Sequence, residues 1–228
     1  ELFTELLSSD SVPYRSKAEL SGYARELHCG HPSSWHFGHV RNWRPDLLTS
    51  SMRSEHTEIS RRRFADTPEG EVEPVSRFLK LSRTGYCNTL RAGTDAARGA
   101  FTSPRPIHFS FPRCITVREM ARLHGYPDWF RFHATKWHGA RQVGNSVPPP
   151  LARAVAASVL KALEIMPYKP DAKIDLGDPK LLTMDMGKAA AFWNIAVPIG
   201  KRDRKNGSQK RTQLEIEAIL AHEKRKIS

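Results

Sequence analysis

Apolar residues recur at helical spacing in several places along the chain, and the polar residues between them mark where each element starts and stops. Leu2, Phe3, Leu6 and Leu7 form one short helical pattern, and Ser16, Ala18, Leu20, Tyr23, Ala24 and Leu27 form a second. From Cys29 to about Ile115 the periodicity dissolves into Pro, Gly, Ser, Thr and Arg. Brief alternations at 76–81 and 107–111 predict short strands or loops there. Over 116–125 the pattern predicts a helix. Thr116 and Glu119 form a Thr-x-x-Glu capping box, Val117, Met120, Ala121 and His124 keep the spacing, and Gly125 and Pro127 end it. Another helix starts at Pro148, Pro149 and Pro150, whose fixed φ presets a first turn, and runs through Leu151, Ala152, Val155, Ala156, Val159, Leu160 and Leu163. Its apolar face is nearly unbroken, which predicts deep burial. After Met166 come a Pro- and Asp-containing linker, an apolar stretch from Leu181 to Val197 and a basic segment from Lys201 to Arg211. A last helix is expected from the capping pair Thr212 and Glu215, striped by Leu214, Ile216, Ile219 and Leu220.

Charge adds a partner to this picture. The 228 residues carry 36 Lys and Arg against 24 Asp and Glu, a formal net charge of +12, and a pI near 9.9. Such a balance implies a polyanion, nucleic acid ahead of an acidic membrane surface. A hydrophobic fraction of 39% with a mean hydropathy of -0.53 suits a soluble globular chain. No apolar run approaches the roughly 18 residues of a membrane span, and no secretory signal is visible. Cys29, Cys87 and Cys114 are odd in number and lack a Cys-x-x-Cys, which argues against a disulfide framework and for a reducing, cytoplasmic setting. His28, His31, His36 and His39 with Cys29 raise the question of zinc. Their spacing fits no standard finger, and no metal site is predicted.

Two blocks carry a more specific signal. Arg113-Cys-Ile-Thr-Val-Arg-Glu-Met-Ala-Arg-Leu-His-Gly-Tyr-Pro-Asp128, followed about a dozen residues later by Arg141-Gln-Val-Gly-Asn-Ser-Val-Pro-Pro149, resembles the ninth and tenth conserved motifs of the DNA cytosine-5 methyltransferases. Upstream, Asn88-Thr-Leu90 resembles the Thr-Leu pair within the target-recognition domain of that family. The resemblance covers roughly residues 30 to 163 and is strong from Pro104 onward. It implies a mixed α/β fold: a small irregular, strand-containing recognition domain and helices that complete an S-adenosylmethionine-dependent methyltransferase domain, with a helical C-terminal tail. The corresponding division is 1–29 (helical), 30–112 (DNA-reading), 113–165 (methyltransferase motifs) and 166–228 (basic tail).

The reaction implied by the resemblance moves a methyl group from S-adenosylmethionine to C5 of a cytosine in duplex DNA, the base being flipped out of the stack and attacked by a cysteine thiolate. Such an enzyme, in this family, also carries a Gly-containing donor loop, a Pro-Cys nucleophile loop, a Glu-Asn-Val block and an Arg-containing block. None is present here. Cys29, Cys87 and Cys114 follow His28, Tyr86 and Arg113, and Cys114 reads as a buried residue beside the Thr116 cap. No catalytic residue is therefore assigned in this chain. The expected partner is the missing catalytic portion, either a separate subunit or the rest of a longer protein of which this is a fragment; the first residue, Glu1, favours the fragment. A restriction-modification system of prokaryotic or phage origin is the expected context. Two alternatives stand beside it: a sequence-specific DNA-binding protein without catalysis, and an RNA-directed relative.

Candidate site residues follow from residue type. The segment Gln142-Val-Gly-Asn-Ser-Val-Pro reads as a short turn, where Gly144 allows close approach and Asn145 and Ser146 offer polar groups just before a helix. A plain helix cap is the alternative; the resemblance assigns this corner to the methyl-donor pocket. Arg118 and Glu119 read as structural, a capping carboxylate and a flanking salt bridge. Residues 41–113 hold twelve Arg and one Lys against eight acidic residues, and Arg suits bidentate readout of guanine or phosphate. Arg61, Arg62, Arg63, Thr89, Leu90 and Arg91 are the expected DNA contacts, with backbone amides near Gly93 able to approach a strand. A solvated basic surface is the alternative for each arginine.

Overall fold

Short strands and helices alternate along the chain without joining into one large sheet. The computed structural model describes residues 10–14, 20–28, 39–93, 105–168 and 171–197, with the backbone of two strands at 204–205 and 209–210. These fall into two compact units, 1–183 and 184–228. The first contains β1 (Val12–Pro13), α1 (Gly22–His28), β2 (Val40–Asn42), β3 (Leu47–Leu48), α2 (Glu58–Asp66), α3 (Val117–Leu123), α4 (Lys136–Gly144), α5 (Pro149–Ala162), β4 (Lys173–Asp175) and a 3-10 turn over Pro179–Thr183. The second contains α6 (Met186–Phe192) and the antiparallel pair β5 (Arg204–Lys205) and β6 (Gln209–Lys210). The architecture is mixed α/β. No helix among the described residues is long and apolar enough to cross a membrane.

Pairing is sparse. β1 lies antiparallel to β3, with Val12 opposite Leu48, and β2 lies parallel to β4, with Val40 opposite Lys173. The alternations expected to be strands at 76–81 and 107–111 supply single bridges only, Val72 to Leu79, Lys80 to Ile107 and Ile107 to Cys114. Pro74, Pro106 and Pro112 remove donors on both sides of these bridges, so no ladder propagates. The tail is not wholly helical, because 173–175 forms strand β4. The predicted helices over Leu2–Leu7 and from Thr212 onward lie outside the described residues, as does the start of the one from Ser16, whose later part is α1.

The predicted 116–125 helix is α3, and both halves of its capping box form: Thr116 Oγ1 accepts from the Glu119 N–H at 3.2 Å, and Glu119 Oε2 accepts from the Thr116 N–H at 2.7 Å. Val117, Met120 and Ala121 of α3 join Leu81, Leu90, Ile115, Phe132, Ala140 and Val143 in the main core. The α3–α4 approach is close because Gly139 has no side chain; a Cβ there would sit 3.0 Å from Val117 Cγ1 and from the His133 carbonyl. A smaller cluster, Phe64, Ile107 and Cys114, fixes α2 to the bridged segments.

Helix α2 has no apolar stripe, and the sequence pattern gave no sign of it. Its ends hold it instead. Thr57 Oγ1 accepts from the Ser60 N–H at 3.3 Å at the start. At the other end Lys80 Nζ donates to the carbonyls of Phe64, Ala65 and Thr67 at 3.0, 3.1 and 2.7 Å. A cation there meets the unsatisfied carbonyls and the negative end of the helix dipole together.

Two expectations are corrected here. Gln142, Val143 and Gly144 are not turn residues but the last turn of α4, because Gly139, Ala140 and Val143 give that segment a buried helical face. Helix α5 forms where the prolines placed it, yet none of its residues is buried. Leu151, Val155, Val159 and Leu163 are 51–62% exposed. They form an i, i+4 stripe that the described residues leave uncovered.

Candidate functional site

The two sequence-predicted corners meet at Gly144. A Cβ at this residue would lie 2.4 Å from the Arg91 carbonyl carbon and 2.5 Å from the Ala92 nitrogen, so the irregular Thr89–Arg91 segment, which the structure does not fold into a turn, packs directly on the backbone that ends α4. Asn145 is the C-cap, its N–H donating to the Arg141 carbonyl at 2.9 Å, and its exposed side chain makes no hydrogen bond among the described residues. Ser146 is already engaged: its hydroxyl donates to the Val143 carbonyl at 2.6 Å, and its own carbonyl accepts from His124 Nε2 at 3.0 Å. Helix α5 begins three residues on, behind Pro148, with no side-chain cap. On the other side of that helix start, Pro150 closes on Gly125, whose φ of +87° and 2.4 Å clearance admit no side chain.

Within the Thr89–Arg91 segment the roles divide. Leu90 is 8% exposed and belongs to the main core, so its side chain anchors the segment. Thr89 and Arg91 are exposed. A cleft of about 550 Å³ is lined by Leu81, Arg83, Cys87, Phe109 and Ser110 among others, and not by Thr89, Leu90 or Arg91.

Arg61, Arg62 and Arg63 are also separated by the structure. On α2, Arg61 and Arg62 are exposed and sit 3.6 and 3.5 Å from Glu58, contacts of little energy at a wet surface. Arg63 turns inward. Its Nη2 donates to Ser60 Oγ at 3.3 Å and its Nε lies 3.7 Å from Glu73, a buried carboxylate that also accepts from the Val75 and Ser76 N–H groups. Sequence reading missed Glu73 and Lys80, the residues that seat this helix, because each acts across a gap of ten or more residues.

Around the ninth-motif segment, buried charge does the positioning. Arg118, 2% exposed, donates to the Thr49, Pro127 and Phe130 carbonyls at 3.0, 3.3 and 2.6 Å. Burial pulls its pKa down to about 10. Arg113 holds Glu119 through two hydrogen bonds of 2.8 Å. Burial opposes ionisation of Glu119, but these bonds and the Arg113 charge outweigh it and keep the carboxyl below its ordinary range. Asp128 behaves alike: burial is overcome by Arg122, at 2.9 and 2.6 Å, and by His28 at 3.0 Å. His28 is thereby committed to a carboxylate, while Cys29, His31 and His36 lie outside the described residues. Among the described residues no group of three or more His, Cys, Asp or Glu is arranged to hold a metal. Cys114 is buried, and burial pushes its thiol up to about 11 despite Arg105 and Arg113 nearby, the opposite of an activated nucleophile.

Comparison with known proteins identifies the family. The profile of the C-5 cytosine-specific DNA methylase family matches residues 30–161. The type II methyltransferase M.XorII of Xanthomonas oryzae pv. oryzae is 54% identical over 205 residues, 90% of this chain and 48% of the relative. M.AplI of Arthrospira platensis is 48% identical over 101 residues, 43% of this chain and 28% of that protein. Among solved structures, a prophage-encoded E. coli protein described as a DNA modification methyltransferase superposes with a TM-score of 0.52 at 31% identity, covering 68% of this chain and 40% of its own. The chain spans about half the length of M.XorII and less of the others. With more than half of its residues matched by the family profile, and the two motif-like segments folded on one another through α3 and α4, the chain belongs to the C-5 cytosine-specific DNA methylase family.

Proposed function

We propose that this chain is the DNA-reading and C-terminal part of a DNA cytosine-5 methyltransferase that uses S-adenosylmethionine, acting in a restriction-modification system. The observation that carries the reading is the seating of the Thr89–Arg91 segment on Gly144, one residue from Asn145. That contact puts a group suited to a DNA strand and a group suited to the methyl donor on one rigid corner. Residues 30–112 contribute the reading surface, in which Arg61, Arg62, Thr89 and Arg91 are the exposed members of the expected set. S-adenosylmethionine, when bound, supplies the methyl group. Asn145 fits such a ligand, having a free amide beside the uncapped start of α5; Ser146 has only acceptor capacity left, since its proton is held by Val143.

The nucleophile comes from a portion outside this chain, since Cys114 is buried with a raised pKa and no cysteine follows a proline. The exposed Leu151, Val155, Val159 and Leu163 stripe is the surface against which that portion packs. The test is methyl transfer from labelled S-adenosylmethionine to cytosine-containing duplex DNA. The chain alone is expected to be inactive, and activity is expected when a relative's catalytic portion is supplied in trans. Incorporation by the chain alone overturns the division of labour, and duplex binding without any transfer in the assembled pair favours a non-catalytic DNA-binding protein.

A further inference from the structure

A cluster of cations lies away from both corners, around residues 53–56. Lys136, at the start of α4, donates from Nζ to the Arg53 carbonyl at 2.7 Å. Arg105 donates from Nη1 to Ser54 Oγ at 2.8 Å. Two cations from different segments are thus tied to adjacent residues of one loop. Two residues on, His56 Nε2 accepts from the Cys114 N–H at 3.2 Å, which leaves the ring proton on Nδ1.

The charges here do not balance. Arg113 is matched by Glu119, at 2.8 Å, and Arg53 is acted on by the same carboxylate. Neither Arg105 nor Lys136 has an ion pair among the described residues, although each side chain is only partly exposed. Each commits one donor to the loop and keeps the rest. The cost of this crowding is visible in the titration of the group: burial and then Arg105 depress Lys136, with Glu55 only partly opposing, and burial followed by Arg105, Lys136 and Arg113 depresses His56. Like charges fixed near one another, with spare donors and only the exposed Glu55 partly opposing them, are relieved by an anion.

We propose that Arg105 and Lys136, held on the 53–54 loop with His56 beside them, form a seat for a phosphodiester of the DNA backbone. The assignment rests on the DNA-binding reading above, but on none of Arg61, Arg62, Thr89 and Arg91. A DNA phosphate is favoured over a free one because Arg105 and Lys136 come from separate segments at a partly open surface, which suits a monoanion within a chain rather than an engulfed ion. As a positioning contact it carries no sequence information. It sets where the duplex lies and leaves sequence readout to other residues.

The experiment is duplex binding by the full chain at several salt concentrations, with Lys136→Gln and Arg105→Gln. Glutamine removes the charge and keeps an amide donor on a shorter side chain. Each variant is expected to lower the slope of log K against log salt by about 0.9 and to weaken binding about 5- to 10-fold at 0.1 M salt, equally on all sequences. Lys136→Arg is expected to restore the slope. Independently of any variant, scanning the duplex with single neutral methylphosphonates should find a position whose loss matters to the wild type and not to Lys136→Gln. Unchanged slopes with intact duplex binding overturn the seat alone; no duplex binding by the wild type overturns the DNA-binding reading with it. A slope lost only on RNA duplexes, or a thermal shift with inorganic phosphate that Lys136→Gln abolishes while its DNA slope stays unchanged, reassigns the cluster to that ligand and refutes the proposal.

Discussion

Replacing Gly144 by Ala isolates the contact that joins the two corners. In an ordinary helix position the change gains up to about 1 kcal/mol from backbone propensity. Here the new Cβ would stand 2.4 Å from the Arg91 carbonyl carbon, where ordinary contact begins at 3.4 Å, so the Arg91–Ala92 backbone must retreat by about 1.0 Å. The obstacle is main chain, anchored by the buried Leu90 next to it, and cannot swing aside as a side-chain tip would. Overpacking of this kind costs about 1–3 kcal/mol. Set against the full propensity gain it leaves a net loss of up to about 2 kcal/mol, read as a lower urea midpoint at unchanged m-value and as a fall in Tm of about 2–4 °C per kcal/mol for a chain of this size. Gly139→Ala is the companion measurement: its neighbours, the His133 carbonyl and Val117 Cγ1 at 3.0 Å and Val117 Cγ2 at 3.2 Å, need give by only a few tenths of an ångström. It should cost less. If Gly144→Ala raised the urea midpoint, the Thr89–Arg91 segment would not be resting on α4 in solution, and the joined corner would have to be abandoned.

Arg118→Met removes the donors for three loop carbonyls and should cost about 2–4 kcal/mol in denaturant unfolding, whereas Arg62→Ala should stay within about 0.5 kcal/mol. Because Glu119 and Asp128 titrate below their unfolded values of 4.5 and 3.8, their contribution is complete above those values and is lost as the pH falls through the lower folded ones. Urea midpoints at pH 7, 4 and 3 should therefore fall steeply in the wild type and less steeply in Glu119→Gln; parallel profiles would disprove the linkage. Cys114, with a pKa near 11, should resist iodoacetamide at pH 7.5 until the chain is unfolded, as peptide mapping by mass would reveal. Arg63→Ala should lower stability while Arg61→Ala and Arg62→Ala leave it unchanged; equal effects of all three would contradict the inward turn of Arg63.

What could be read from the sequence was local. The capping box of α3 and the proline start of α5 are encoded within a few residues, and both appear where the pattern put them. The motif-like blocks likewise pointed to the family whose profile matches residues 30–161. What could not be read depends on distant partners. Helix α2 exists through Lys80, sixteen residues beyond Phe64, and a lysine in an irregular stretch announces nothing about the carbonyls it will meet. Gln142–Gly144 looked like a turn because Gly and Asn are turn residues, but α3 supplies an apolar surface that makes the preceding residues helical. The α5 stripe looked like core because periodicity reports a need for burial, not which polypeptide segment meets it.

The lysine under α2 also has a kinetic meaning. A nine-residue segment with three successive arginines repels itself and would not stay helical alone, so its shape depends on closure of the bridge that brings Lys80 beside Ile107. The backbone entropy of ordering α2 is therefore surrendered when the chain folds, while the exposed Arg61 and Arg62 side chains keep rotamer freedom. On the DNA-reading role proposed above, a duplex would meet α2 already formed, so association would not wait on the ordering of a loop.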